Sequence, residues 1–184
     1  MKPLKPILLI VTLLSTSGCA TLSREDCMQG AWFDLGLSDG RRGKTFTRLG
    51  QHQKACLDYG IHIDNEQYNQ GRDVGLKDYC QLDNAIDMGL RGHRYQSVCP
   101  PETHAVFLRY NQAAYDVYRC QEDLEGLDDD LYDKENSLLN NKLTDDDRSQ
   151  IRVDIRDLDR ERQRIRDDLY SRERRLESLI NRGY

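Results

Sequence analysis

Four cysteines, Cys27, Cys56, Cys80 and Cys99, frame a stretch of chain that also holds most of its glycine: eleven of the thirteen glycines precede Cys99. A segment this short buries too little apolar surface to be stable without staples. Each closed loop would contribute about 3 kcal/mol in the chain-entropy model. Four cysteines allow three connectivities. Helices expected over residues 31–43 and 46–58 would, if antiparallel, bring Cys27 and Cys56 to one end. The expected pairs are therefore Cys27–Cys56 and Cys80–Cys99.

The glycines are not scattered. Trp32, Leu35, Gly36, Gly40 and Gly43 fall on one side of a helix. Each glycine inside a helix costs about 1 kcal/mol relative to alanine. Several on one face point to a close helix contact where side chains would not fit. Asp39-Gly40 is also a hairpin dipeptide, but its flanks do not alternate as strands do. The pattern Phe33-x2-Gly36-x3-Gly40 recurs as Tyr68-x2-Gly71-x3-Gly75, with a fainter copy in Ile86-x2-Gly89-x2-Gly92. In each, an apolar side chain stands one turn before a bare helical surface that it is placed to cover.

The chain begins with an export pattern over residues 1–18. Lys2 and Lys5 precede a short apolar run, and small residues follow. Eight core apolar positions are too few for a permanent membrane span. Ser17-Gly18-Cys19 resembles a bacterial lipobox, with Thr16 where leucine is usual. Lipidation at Cys19 is the expectation, and cleavage after Ala20 to a soluble periplasmic form is the alternative. Ala20 in place of aspartate directs such lipoproteins to the outer membrane. The expected plan is a signal at 1–18, a tether at 19–26, a Cys/Gly-rich helical domain at 27–100 and a helical arm at 101–184. Export also places the cysteines where disulfides persist.

After Pro100-Pro101 the composition shifts to Asp, Glu, Arg and Leu. Pro101 suits the first helical turn. Phe107, Tyr110, Ala113, Ala114, Val117 and Tyr118 form a stripe expected to close over the Gly-rich core. The stripe continues through Leu124, Leu131 and Leu138, and weakens at Asn140-Asn141. Thr144 can cap a second helix whose Ile151, Ile155, Leu158, Ile165, Leu169, Leu176 and Leu179 keep heptad spacing. A fold at residues 143–145 would set Leu131 on Leu158 and Tyr110 on Leu179. The fold class is accordingly all-α: a disulfide-stapled Gly-rich helical domain, then a long antiparallel helical hairpin of coiled-coil type. The rival is one continuous helix that pairs with a second chain.

The residues Trp32-x3-Gly36-x2-Asp39-Gly40-x2-Gly43, His52-x3-Cys56, Tyr68-x2-Gly71-x3-Gly75-Leu76-x2-Tyr79-Cys80 and Gly89-x2-Gly92-x2-Tyr95-x2-Val98-Cys99-Pro100 together resemble the Gram-negative lipoprotein family DUF2799, a domain of unknown function. The resemblance runs from Cys19 to Tyr118. It implies a place in the cell envelope, and it brings no catalytic residues. Thr16 and the extra Cys120 depart from the pattern.

The chemistry-bearing residues give few leads. No hydrolase or nucleotide motif is present. The net charge of -5 argues against a nucleic-acid partner. His52 with Cys56, and His93 with Cys99, could share a metal, but no CxxC pair accompanies them and no metal or cofactor is expected. Cys120 reads as a buried small hydrophobe, or as an intermolecular cross-link. Asp39 is the one suspicious carboxylate, and its plainer role is a turn, a cap or a partner for a nearby arginine. The expected function is a non-enzymatic outer-membrane lipoprotein, held by its lipid and contacting an envelope protein or peptidoglycan through its arm, with oligomerisation left open. The alternative is a cell-wall-active enzyme or glycan binder with a site near Trp32 and Asp39.

Overall fold

Three of the helices begin where a side chain satisfies their free amide groups. The computed structural model describes residues 21–182, so the expected export signal at 1–18 and the expected lipidation site Cys19 lie outside the described residues. The elements are α1 (Arg24–Gln29), α2 (Trp32–Arg41), α3 (Thr47–Leu57), α4 (Asn65–Tyr79), α5 (Leu82–Leu90), α6 (Pro101–Ser137) and α7 (Asp145–Arg182). Ser23 and Asp26 form a reciprocal capping box on α1. The Asp64 carboxylate accepts from the amides of Glu66 and Gln67 at the start of α4. Pro101 opens α6. Thr144 and Asp147 cap α7 in the same reciprocal way as α1. The stretch expected as a tether, 19–26, thus already contains the first turn of α1, and Leu22 packs on the core.

The central contact is between α2 and α4, which run parallel. A methyl group added at Gly36 would overlap the carbonyl of Tyr68, and one at Gly71 would overlap the carbonyl of Phe33. Gly40 and Gly75 repeat this reciprocity with the carbonyls of Arg72 and Leu37. The two copies of the glycine pattern, offset by 35 residues, therefore pack on each other about a local two-fold. Small residues four apart let two backbones approach closely, as in small-xxx-small helix pairs. The expectation that an aromatic covers each bare surface is corrected: the opposing backbone fills it, and Phe33 is partly exposed.

Parallel neighbours need a return segment, and α3 supplies it. It is α4 that packs closely along α2, while α3 runs back between them in sequence. The return brings Cys56 back to Cys27, and these two form a disulfide with Cα atoms 5.5 Å apart. Cys80 and Cys99 form the second, with Cα atoms 5.8 Å apart. Cys120 is the cysteine among the described residues that stays a thiol.

The apolar core has no break at residue 100. Leu76, Tyr79, Ala85, Tyr95, Cys99, Phe107 and Tyr110 form one cluster, with Leu179 against it. Gly89 of α5 lies against α6 at Asn111 and Ala114. The chain then reverses at 138–144, where the Arg148 guanidinium donates to the carbonyls of Leu138 and Asn140. Helix α7 returns along α6: Tyr110 donates its hydroxyl hydrogen to the Leu179 carbonyl, and Ala113, Val117 and Leu176 share a cluster. Further out, Arg172 pairs with Asp116, Arg162 with Asp128 and Lys134 with Asp154.

Candidate functional site

Two constellations merit comparison: a buried polar chain around Asp39 and an open basic cleft beside it. Asp39 stands near the C-terminal end of α2 with 0% exposure, and His52 of α3 has 1%. His52 Nε2 is 2.8 Å from Asp39 Oδ2, and the Tyr68 hydroxyl donates to the same oxygen at 2.9 Å. Burial opposes ionisation of Asp39. Its hydrogen bonds with His52 and Tyr68, with the charges of His52 and Arg42, outweigh that and hold its carboxyl below the usual range. An ionised carboxylate only accepts, so Nε2 must carry the hydrogen. His52 Nδ1 is 2.9 Å from the Thr21 hydroxyl, which completes the chain. Burial and the Asp39 charge push the Tyr68 hydroxyl well above the ordinary tyrosine range.

The plainer roles expected for Asp39 are therefore corrected in part. It is no turn or cap residue but a buried acceptor inside a helix, with Arg42 as an outer partner at 3.4 Å. The order Tyr–Asp–His resembles catalytic relays, but a general base must lie within hydrogen-bond reach of a substrate proton. These side chains bond to one another, and no described cavity is lined by Asp39, His52 or Tyr68. Trp32 is likewise buried and borders only a hollow of about 260 Å³ with Leu22 and Leu35. Cys56 and Cys99 are held in disulfides, which removes the two His/Cys pairs as metal sites. His93 is exposed and far along the chain from His52; the structure does not bring it to Asp39.

The cleft has a volume of about 810 Å³. One wall is the turn after α2, with Arg41, Arg42, Lys44 and Thr45. The other is the turn after α5, with His93, Arg94 and Gln96, backed by Tyr115 of α6. Two glycines with left-handed backbone shape the walls. Gly43 (φ 60°) abuts the ring of Tyr79, and Gly92 (φ 78°) abuts the ring of Tyr118, with no room for a side chain at either. Asn111, buried at 2%, holds the second wall: its amide donates to the carbonyls of Ala85 and His93, and its oxygen accepts from the Tyr95 amide. Burial pushes the Tyr79 hydroxyl at the base up to about 12.

No local pattern marks Arg41, Arg42, Lys44 and Arg94 as a group, since they lie on two turns about fifty residues apart. Glycines at both turns were visible, but not that they face one cavity. Asn111 and the buried Arg72 were also missed, because a lone polar residue in a helical pattern looks like a solvated one.

Residues 31–116 match a family model described as Protein of unknown function (DUF2799). The match ends inside α6, after the residues that close the core over α5. No curated protein and no solved structure matches the chain.

Proposed function

From the premise that this chain belongs to the DUF2799 family over its cysteine core, we propose that it is a non-enzymatic lipoprotein of the outer membrane, anchored through Cys19 and contacting an envelope protein or peptidoglycan through its arm. The observation that carries this reading is the sealing of the Asp39–His52–Tyr68 chain. Its residues are placed as a brace between α2, α3 and α4, and no described cavity is lined by them. The arm, by contrast, projects beyond the last core contacts and exposes Tyr132 and Leu139 among charged residues. Exposed aromatic and aliphatic groups ringed by charge are the composition of interaction surfaces. The sequence places Cys19 only two residues before Thr21, whose hydroxyl bonds to His52, so the anchor would hold the domain close to the bilayer.

Mass spectrometry of membrane-extracted protein should find a diacylated N-terminal Cys19; a soluble form starting at Thr21 would contradict the anchor. Deleting 129–161 and joining the ends with a short turn shortens the arm but leaves Leu176 and Leu179 in the core. This variant should stay folded and lose its captured envelope partner. Unchanged capture would contradict a role for the arm.

A further inference from the structure

Apart from the arm, the feature without a structural explanation is the charge of the cleft. Four cations, Arg41, Arg42, Lys44 and Arg94, line it, and no carboxylate does. This stands in a chain whose net charge is -5. Two of the four are partly neutralised. Arg41 meets Asp78 at 2.8 Å, and Arg42 meets the buried Asp39 at 3.4 Å. Among the described residues, neither Lys44 nor Arg94 has a carboxylate within 4 Å. Arg94 instead packs over the Tyr115 ring, 4.5 Å from its centroid, and donates a hydrogen bond to the Tyr115 hydroxyl. A guanidinium carries five N–H donors, so donors remain for a ligand.

A fifth cation lies beneath the first wall. Arg72 is 3% exposed, and it donates to the Lys44 carbonyl at 3.0 Å. Its Nε has no partner, and among the described residues no carboxylate pairs with it. Its guanidinium packs on the Phe46 ring at 4.1 Å. A buried, uncompensated guanidinium is costly to the fold unless it serves something else. Here it adds to the positive field at the turn that carries Lys44. A concave site lined by one sign of charge focuses that field on an incoming counter-ion.

We propose that this cleft binds a ligand with clustered phosphates, held between the turn after α2 and the turn after α5. Phosphate is favoured because arginine forks and lysine ammonium groups match its oxygens. More than one phosphate suits the cleft because its cations stand on two walls, on the turn after α2 and the turn after α5. The volume falls in the range of small-ligand sites, about 300–1,000 Å³. Tyr79 and Tyr115 give apolar area for a sugar or glycerol body between the charges. The ligand is a soluble polyphosphorylated metabolite or the headgroup of an anionic lipid, and both offer the same chemistry to these residues. This inference is independent of the role proposed for the arm.

The test is amine footprinting of the full chain in neutral-detergent micelles, followed residue by residue by mass spectrometry. Tripolyphosphate is one probe, and incorporation into vesicles containing cardiolipin, whose headgroup carries two phosphates, with phosphatidylcholine vesicles as reference, is the other. Labelling of Lys44 should slow at least fivefold with one or both probes, while Lys54, Lys77 and Lys142 are unaffected. Protection by tripolyphosphate identifies a soluble ligand, and protection by cardiolipin vesicles alone identifies a headgroup. Arg94→Glu should abolish the protection and Arg94→Lys should retain most of it, with circular dichroism showing both folded. No protection of Lys44 by either probe, equal slowing of all lysines, or protection that survives in folded Arg94→Glu would overturn the assignment.

Discussion

Asp39 shows how a single carboxylate organises three helices. Replacing it with alanine would leave the His52 and Tyr68 hydrogens buried without an acceptor, at a cost of about 3 kcal/mol or more. Asp39→Asn should be milder, and urea titration would measure both. The depressed carboxyl makes a pH prediction of definite sign. A group that ionises more easily when folded contributes stability above its unfolded value, near 4. That contribution is lost as the pH falls through the folded value. The melting temperature of Asp39→Asn should therefore fall less steeply than wild type on acidification below about pH 4. Parallel curves would contradict the role given to the carboxylate. At Cys120, burial raises the thiol, and Asp168 beside it adds to this against the lowering effect of Arg172. Alkylation of the native chain should then be at least about tenfold slower than after unfolding. Rapid labelling would contradict its burial, and a dimer lost on reduction would make Cys120 a cross-link.

At the level of elements, the same residue type has opposite meanings at different positions. Gly36→Ala or Gly71→Ala should cost about 3 kcal/mol, because each methyl meets opposing backbone that cannot give way. Gly126→Ala, in an exposed part of α6 with nothing within 4 Å, should stabilise by about 0.8 kcal/mol. Chemical denaturation of the three variants distinguishes helix contact from helix propensity. The glycine repeat was legible in the sequence as a close contact, but its partner was not. Nothing local says that Gly36 meets Gly71 rather than residues of the next helix along. The register of the arm was more accessible. Its apolar residues step by threes and fours on both sides of one weak point, with Lys134, Arg162 and Arg172 in the gaps. Counting out from that point pairs Tyr110 with Leu179, which the structure joins. The polar brace was invisible for the opposite reason: Asp39, His52 and Tyr68 come from three helices whose crossing angles no local pattern encodes. The basic cleft likewise exists only once two distant turns are set face to face.

The whole molecule divides its duties along its length. The disulfides, the glycine contact and the sealed brace make a rigid base, and α6 and α7 leave that base as a paired, highly charged projection. Leu131 is still buried far from the base, so the projection keeps an apolar seam well beyond the stapled core. On this account partner recognition belongs to the projection, while the base serves as its mount. Site-specific photo-crosslinking in intact cells tests that division directly. A benzophenone amino acid would replace Tyr132 or Leu139 on the arm, 65% and 76% exposed, or Tyr59 on the base, 43% exposed. The account predicts adducts to another envelope component from Tyr132 or Leu139 and none from Tyr59. Adducts from Tyr59 alone, with the arm positions silent in correctly localised protein, would contradict it.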